Sequence, residues 1–365
     1  MKLKTIIIYY PSFEKGGVEN ILINISKFFI KSKINIILIT SKKIIKNNKH
    51  VEYIIVKKKK NRLLTTLLSV TKFIKILICK FSQRENVCIL SLQSNSVAII
   101  LGKIFGFRVV ARNSEYPLGS FLNRDDNFLK STIVLIQKII VYNFANLVIS
   151  NSRGSRDTIR KFVIRNKKVI HIYNPYIKKI KKENLKVKKN VILFVGRFVK
   201  QKGIIYLLKA FKSFSEKYNK FELWMVGSGP DIKLIKKYKK DKQLKNKIKI
   251  IGWKKNLSKY YNQSKYFILP SVYEGLGNVV IEALNYSRVC LVSNCKHGPK
   301  EIINYGKGGY IFKSKSSKDL LRKLFKIEAD FANSKKKVKV ARKGLDRFLI
   351  SKQSNKYLKV IKELQ

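Results

Sequence analysis

Short, unbroken apolar runs alternate along the chain with longer segments whose apolar residues recur at helical spacing. TIIIYY at 5–10 is such a run, bounded by a loop, and predicts a buried strand. The loop PSFEKGG follows, then VENILINISKFFIKS with apolar positions every three to four residues. INIILIT (34–40) and VEYIIV (51–56) are the next two strands. VCILSLQ (87–93), RVVARN (108–113), LVISNS (147–152) and VIHIYNPY (169–176) continue the series between helical segments. Strands alternating with helices, and apolar on both faces, predict a doubly wound parallel sheet.

The pattern then pauses. IKKIKKENLKVKKN at 177–190 is charged, poor in apolar residues, and reads as a linker. Beyond it the alternation restarts. NVILFVGR (190–197), FELWMVGSGP (221–230), KIKIIGW (247–253), YFILPS (266–271), VCLVSN (289–294) and GYIF (309–312) are strands separated by helices. The chain is therefore predicted to hold two α/β halves of similar size. A last helical stretch, from about 336 to 365, is long enough to return to the first half.

Composition sharpens this picture. A chain of 365 residues suits two domains, and 45% apolar content with 21 Phe and 18 Tyr excludes a disordered protein. Lys and Arg number 80 against 21 Asp and Glu, a formal net charge of +59. Such a surface attracts polyanions: nucleic acid, anionic lipid headgroups or phosphorylated substrates. A compositional bias toward Lys, Ile and Asn would produce the same excess, and the two explanations stay side by side. Cysteines stand at 79, 88, 290 and 295 with no C-x-x-C pair, and only three histidines occur. Neither a zinc site nor a disulfide framework is expected, and reduced thiols in a cytoplasmic protein are. The apolar run after the basic start is too short for a signal peptide, and no run suits a membrane span. NRLLTTLLSVTKFIKILICKF (61–81) mixes apolar residues with Arg62, Lys72, Lys75 and Lys80. It fits an ordinary amphipathic helix of the first domain best, with a peripheral contact with an anionic membrane as the alternative.

In open parallel sheets ligands bind at the carboxyl ends of strands, so the strand-end loops are where chemistry is sought. After the first strand, Gly16 and Gly17 permit close approach to a ligand at a helix N-terminus, although a Gly-Gly pair also serves as a plain turn. No Rossmann G-x-G-x-x-G and no P-loop stand there. In VGRFVKQKG, Gly196 precedes Arg197 at the end of a buried strand, with Lys202 five residues on. Two cations at a strand mouth suit a diphosphate; two solvated charges in a Lys-rich chain are the plainer alternative. VGSGP brings Gly229 into a second strand-end turn. The stretch YFILPSVYEGLGNVVIEAL predicts strand, loop and helix, with Glu274 in the loop and the helix starting near Asn278. Its first N–H groups, around Gly277, Asn278 and Val279, form an anion site without any side chain. Glu282 lies one turn into that helix among apolar neighbours. There a carboxylate needs a partner, either a cation or a sugar diol.

Taken in order, GGVE, VGRFVKQKG, VGSGP, IIGW, LPSVYEGLGNVVIEAL and SNCKHGPKEII resemble the retaining family-4 glycosyltransferases of the GT-B fold. The resemblance runs over nearly the whole chain and is strongest from about 190 to 303. It implies two Rossmann-like parallel-sheet domains facing a central cleft. They would comprise an acceptor-binding domain at 1–176, a basic linker at 177–190, a nucleotide-sugar-binding domain at 191–340, and a helix at 341–365 that packs back on the first domain.

The same resemblance assigns roles. Gly16 and Gly17 would pack against the donor's phosphates. Arg197 and Lys202 would neutralise the leaving diphosphate. Glu274 and Glu282 match the ends of the family's E-x7-E motif, Glu274 facing the transferred sugar and Glu282 the ribose hydroxyls. N–H groups around Gly277, Asn278 and Val279 would hold the distal phosphate, and Gly252 lies where the base packs. Arg112 and Asn113, at a strand end of the first half, stand where many members place a histidine or another polar residue near the sugar. Two departures are visible. Leu276 and Gly277 replace the usual Phe-Pro after EG, and Arg112-Asn113 replaces the familiar histidine motif.

The implied reaction moves a sugar, with retention, from a nucleotide-diphosphate sugar (UDP-linked in the first instance) to a saccharide or lipid-linked acceptor in bacterial surface polysaccharide assembly. The nucleotide sugar is a co-substrate. No cofactor and no metal are expected, since no D-x-D stands at a matching loop and the adjacent Asp125 and Asp126 fall in a surface loop. Two other classes compete: a catalytically silent GT-B binding protein, and a basic nucleic-acid-binding protein. Against the latter, no RRM-like aromatic motif, zinc finger or helix-turn-helix pattern is present, and the basic residues are dispersed.

Overall fold

A computed structural model describes residues 3–12, 17–46, 48–57, 62–119, 128–164, 168–186 and 189–364. The chain forms two units. One comprises the residues up to Lys178 together with those from Arg347 onward; the other is Lys179–Asp346.

The first unit is built on seven parallel strands: β1 (Thr5–Tyr10), β2 (Asn35–Thr40), β3 (Val51–Ile55), β4 (Val87–Ser91), β5 (Arg108–Asn113), β6 (Leu147–Ser150) and β7 (Val169–His171). Their spatial order is β3-β2-β1-β4-β5-β6-β7. The direction of winding therefore reverses between β1 and β4. Helices cover both faces, which is why the central strands are apolar throughout. On one face the Gly17–Lys31 helix buries Ile21, Leu22, Ile25 and Phe29, an i, i+1, i+4, i+8 stripe. The Ile350–Lys362 helix joins it, burying Tyr357, Leu358 and Ile361 in the same core. On the other face the Arg62–Cys79, Asn95–Ile104, Phe128–Tyr142 and Arg153–Arg160 helices close a second core through Phe73, Ala98, Tyr142 and Ile159.

Arg112, at the end of β5, is 1% exposed and has no carboxylate partner among the described residues. Its guanidinium is satisfied by neutral acceptors instead: Tyr357 Oη at 3.0 Å, Asn174 Oδ1 at 2.6 Å, and Ser114 Oγ. A buried cation costs little only when its N–H groups are taken up in this way.

The second unit carries six parallel strands: β8 (Val191–Val195), β9 (Glu222–Val226), β10 (Ile248–Gly252), β11 (Tyr266–Leu269), β12 (Val289–Ser293) and β13 (Tyr310–Phe312). Their order is β10-β9-β8-β11-β12-β13, so the winding reverses between β8 and β11. Phe194, Phe211, Phe214, Phe221 and Tyr266 are among the side chains of its core.

Two expectations need correction. The charged stretch after 177 is not a free linker over its first part. Arg342 donates to Lys181 O at 2.6 Å, Lys181 N to Asn285 Oδ1 at 2.9 Å, and Asn184 N to Ser287 Oγ at 3.1 Å. Arg288, 2% exposed, reaches Lys186 O at 3.3 Å as well. These partners lie about a hundred residues or more downstream, so no local pattern announces them. The C-terminal stretch is not one helix either. The Phe331–Lys343 helix ends at Gly344, a 3-10 turn spans Leu345–Phe348, and only then does the Ile350–Lys362 helix begin. The crossing back to the first unit is marked by backbone bonds at Ile177, whose N–H donates to Phe348 O and whose carbonyl accepts from Ile350 N at 2.9 Å.

Candidate functional site

The reversal between β8 and β11 opens a crevice at the carboxyl ends of the strands, the general ligand position of such sheets. Two of the singled-out segments emerge there: the loop after β8 with Gly196, Arg197 and Lys202, and the loop after β11 with Glu274 and Gly277. They are fastened to each other. Val272 N donates to Gln201 O at 2.8 Å, and Gln201 Nε2 to Tyr273 O at 3.1 Å. Gly203, at φ +62°, lets the first loop press on the second: a Cβ there would lie 2.2 Å from Pro270 O. Only glycine fits both that backbone and that gap.

Lys202 Nζ donates to Glu274 Oε1, an ion pair whose side chains are 13% and 9% exposed. Ser271 Oγ donates to the same oxygen at 2.7 Å, and Ser293 Oγ, at the end of β12, donates to Ser271 O. The carboxylate is thus fixed by a cation and a hydroxyl, and the hydroxyl's own residue is fixed in turn. Cys295 is buried in the same neighbourhood. Burial pushes its thiol up to about 12, and the Glu274 carboxylate pushes the same way, so it stays neutral. Arg197, by contrast, is exposed. Its carbonyl accepts from Val199 N, and its guanidinium makes no hydrogen bond or ion pair among the described residues. The site therefore holds one cation already neutralised by a carboxylate and one that is not.

The Asn278–Asn285 helix starts at this mouth. Gly277 is its N-cap at φ +87°, where a Cβ would come within 3.1 Å of Leu269 Cδ2 and 3.2 Å of Pro299 Cγ. This explains the Leu276-Gly277 departure. Proline is confined to φ near −65° and is excluded from this left-handed turn. Leu276 is buried beneath it. No side chain caps the helix, and Val280 N bonds to Gly277 O at 2.9 Å. Asn278, Val279 and Glu282 are half-buried, Glu282 on the second turn as its position in the sequence requires.

The loops after β8, β9 and β10 are joined edge to edge: Gly196 N donates to Val226 O, Phe198 N to Ser228 O at 2.7 Å, and Gly227 N to Gly252 O at 2.9 Å. Gly229 permits the approach, since a Cβ would meet Phe198 O at 2.3 Å. Gly252 differs. It has φ +76° but nothing lies within 4 Å of its would-be Cβ, and Trp253 beside it is 50% exposed. There is open space where the resemblance places a base.

In the first unit the winding reverses between β1 and β4. Gly17 opens the helix after β1, and Ser12 N is tied to Gln93 Oε1 of the loop after β4 at 3.2 Å. Gly16, and Asp125 with Asp126, lie outside the described residues. Asn113 is 2% exposed, with Nδ2 on Glu115 O at 2.6 Å and Oδ1 accepting from Tyr142 Oη at 3.4 Å. Its polar atoms are taken up within its own surroundings. Among the described residues no group of three His, Cys, Asp or Glu side chains could hold a metal ion. Sequence reasoning missed Gln201, Ser271 and Ser293, whose roles depend on loops meeting rather than on any local motif.

The two Rossmann-like parallel-sheet domains, with these strand-end loops, define a GT-B protein. Residues 176–344 match the family of glycosyl transferases group 1. The chain is 28% identical over 221 residues to the uncharacterized glycosyltransferase MJ1059 of Methanocaldococcus jannaschii, a match covering 56% of this chain and 53% of that relative. It thus spans about half the length of that protein. It is 26% identical over 269 residues to a Campylobacter jejuni N-acetylgalactosamine-N,N'-diacetylbacillosaminyl-diphospho-undecaprenol 4-alpha-N-acetylgalactosaminyltransferase, covering 71% of this chain and 72% of the relative. The crystal structure of Anabaena Alr3699/HepE in complex with UDP and glucose superposes with a TM-score of 0.78 at 17% identity, over 98% of this chain and 99% of that one. At that identity the likeness speaks for the fold alone.

Proposed function

We propose that the protein is a retaining glycosyltransferase that moves a sugar from a nucleotide-diphosphate sugar, UDP-linked, to a saccharide or lipid-linked acceptor in bacterial surface polysaccharide assembly. The observation that carries this reading is the fixed Lys202–Glu274 pair at the β8–β11 crevice, beside the exposed, unpaired Arg197 and a glycine-capped helix start. The lipid-linked acceptor named for the Campylobacter relative and the UDP bound to the Anabaena protein favour the same donor and acceptor classes.

In this mechanism Arg197, Lys202 and the N–H groups around Gly277, Asn278 and Val279 stabilise the diphosphate as negative charge develops on it. No metal is needed for that charge. Glu282 accepts hydrogen bonds from the ribose hydroxyls, and Glu274, held rigid by Ser271, lines the sugar. The bond from the anomeric carbon to the phosphate breaks, and the acceptor hydroxyl attacks from the same face. Its proton passes to the departing phosphate oxygen, giving a product of unchanged anomeric configuration. Asn113 acts within the first unit by positioning the loop that follows β5.

The test is thermal unfolding with UDP, GDP and ADP in turn, on the parent chain and on Glu282→Ala, at two salt concentrations. A ligand at about 100 times its Kd stabilises by roughly 2.7 kcal/mol. A salt-tolerant shift for UDP alone, lost in the variant, is expected. Equal shifts for all three nucleotides, abolished by salt, would mean that only the cationic surface binds. Turnover undiminished by EDTA and an α-linked product from an α-linked donor, read by NMR, are expected of the active enzyme. A trapped covalent glycosyl-enzyme would overturn the same-face route.

A further inference from the structure

Among the described residues, the Phe128–Tyr142 helix turns an uncharged face to solvent. Between positions 132 and 142 its exposed residues are Ile133, Val134, Ile136, Gln137 and Ile140. Ile133, Ile136 and Ile140 are 58%, 50% and 53% exposed at i, i+3 and i+7, and Phe144, 57% exposed, follows one turn after Ile140. The lysine of that stretch, Lys138, is half-buried, its Nζ 5.9 Å from the centroid of the Tyr142 ring. The Asn95–Ile104 helix packs alongside and adds Ile100 and Ile104, 45% and 71% exposed. A groove lined by Ile133, Ile136, Gln137, Ile140 and Val141 accompanies the stripe. Single exposed apolar residues are normal, but a stripe in helical register on one helix and its neighbour marks an interaction site.

We propose that this face pairs two copies of the chain about a two-fold axis. Charge selects the occupant. Lys and Arg make up 80 of the 365 residues, yet none of the exposed positions between 132 and 142 is cationic. A helix that binds anionic lipid or nucleic acid sets cations where they reach the phosphates. A self-pairing seam needs the reverse, since two copies carrying +59 each meet best where neither presents charge. A two-fold axis through the middle of the stripe brings Ile136 near its own copy and lays each row of isoleucines against the other's groove. The area suffices: six apolar side chains, each about half exposed, offer about 600 Å² per copy, so a pair buries about 1,200 Å², the lower bound of a specific interface. Lys103, exposed beside Ile104, brings like charge close to the seam. Pairing is therefore weakened at low salt and strengthened as salt screens that repulsion. The face belongs to the first unit alone and does not depend on the reaction assigned to the second.

The experiment is sedimentation equilibrium of the full chain from about 1 to 100 μM, at about 0.1 and about 0.5 M salt. The parent is expected to form a dimer whose Kd falls about threefold or more at the higher salt, where repulsion is screened and apolar burial is intact. The variant Ile133→Gln/Ile136→Gln/Ile140→Gln leaves the charge unchanged. It is expected to weaken the dimer by roughly a thousandfold or more, because a symmetric seam loses six isoleucines at once. Circular dichroism checks that this variant keeps its fold. The milder Ile136→Ala, at the axis, is expected to weaken the dimer about tenfold and carries the test if the triple variant misfolds. A parent that stays monomeric at 0.5 M salt would overturn the proposal, as would a dimer equally tight in both variants. So would a dimer that dissociates as salt rises, the mark of a bridging polyanion. A monomeric parent that sediments with phosphatidylcholine–phosphatidylglycerol vesicles, and loses this in the triple variant, would give the face to a lipid surface instead.

Discussion

Replacing Lys202 by Met removes one half of an ion pair whose side chains are only 13% and 9% exposed. Glu274 would keep a single donor, Ser271 Oγ at 2.7 Å, and its side chain would stay buried without its cation. Breaking a buried pair from one side costs about 3–5 kcal/mol. The surviving hydroxyl bond and the proximity of the mouth place the expected loss near the lower end, about 3 kcal/mol. For a unit of this size 1 kcal/mol shifts Tm by about 2–4 °C, so a fall of roughly 6–12 °C is expected. The unfolding of this unit can be read by itself. The chain's two tryptophans, Trp224 and Trp253, both lie in it, so intrinsic fluorescence reports the second unit selectively. The companion variant Glu274→Gln leaves Lys202 unpaired, and the double variant Lys202→Met/Glu274→Gln removes both charges. Because a neutral pair has no stranded ion, the double variant is expected to be more stable than Lys202→Met alone, with a coupling of about 2 kcal/mol. Additive losses, or a Lys202→Met protein as stable as the parent, would refute the picture of a dry, preformed pair. They would mean that water reaches Glu274 freely.

Two further outcomes follow from the same geometry. Gly203→Ala is expected to cost about 3 kcal/mol or more by fluorescence-monitored unfolding, since the new Cβ would meet Pro270 O at 2.2 Å on top of the strained φ. Gly252→Ala, with nothing within 4 Å, is expected to cost only the left-handed backbone, about 1 kcal/mol; similar losses at both positions would show that contact distance is not what distinguishes them. His171, on β7, is held down to about 4 by burial first and then by the nearby cations Arg153, Arg156 and Lys356, against the opposing Asp157. The unfolded chain therefore takes up the proton first, and stability is flat above the ordinary value of 6.5 and falls as pH drops from 6.5 toward about 4. After discounting for partial exposure the loss at pH 5 is about 1 kcal/mol. Denaturant unfolding followed by circular dichroism should show this dip in the parent chain and not in His171→Gln.

Much of this was readable from apolar patterning. TIIIYY at 5–10 and RVVARN at 108–113 coincide with β1 and β5, because a buried parallel strand has no polar face to blur its limits. VIHIYNPY was readable only in part: the strand stops at His171, since β7 is an edge strand and the rest of that run leaves the sheet. The positions of Arg197, Lys202, Glu274 and Gly277 at one crevice follow from strand order, which local pattern suggests and pairing decides. Ser271's grip on Glu274 and the hold of Arg288 and Arg342 on residues 181–186 are contacts between distant segments, and nothing in their own neighbourhoods encodes them. Gly344 carries no signal strong enough to break the helical periodicity of the last thirty residues, yet the chain passes there from one unit to the other.

Arg112 and its partner Tyr357 lie 245 positions apart in the sequence. During synthesis, β1 to β7 leave the ribosome first, and the second unit is then made in full before the Ile350–Lys362 helix exists. At about 5–20 residues per second the interval between the emergence of His171 and that of Tyr357 is roughly ten to forty seconds. Throughout it the nascent first unit has a guanidinium without one of its acceptors and an uncovered patch beside Ile21 and Ile25. A chaperone has its longest opportunity on this protein there, and the second unit, continuous in sequence, can finish folding before the first.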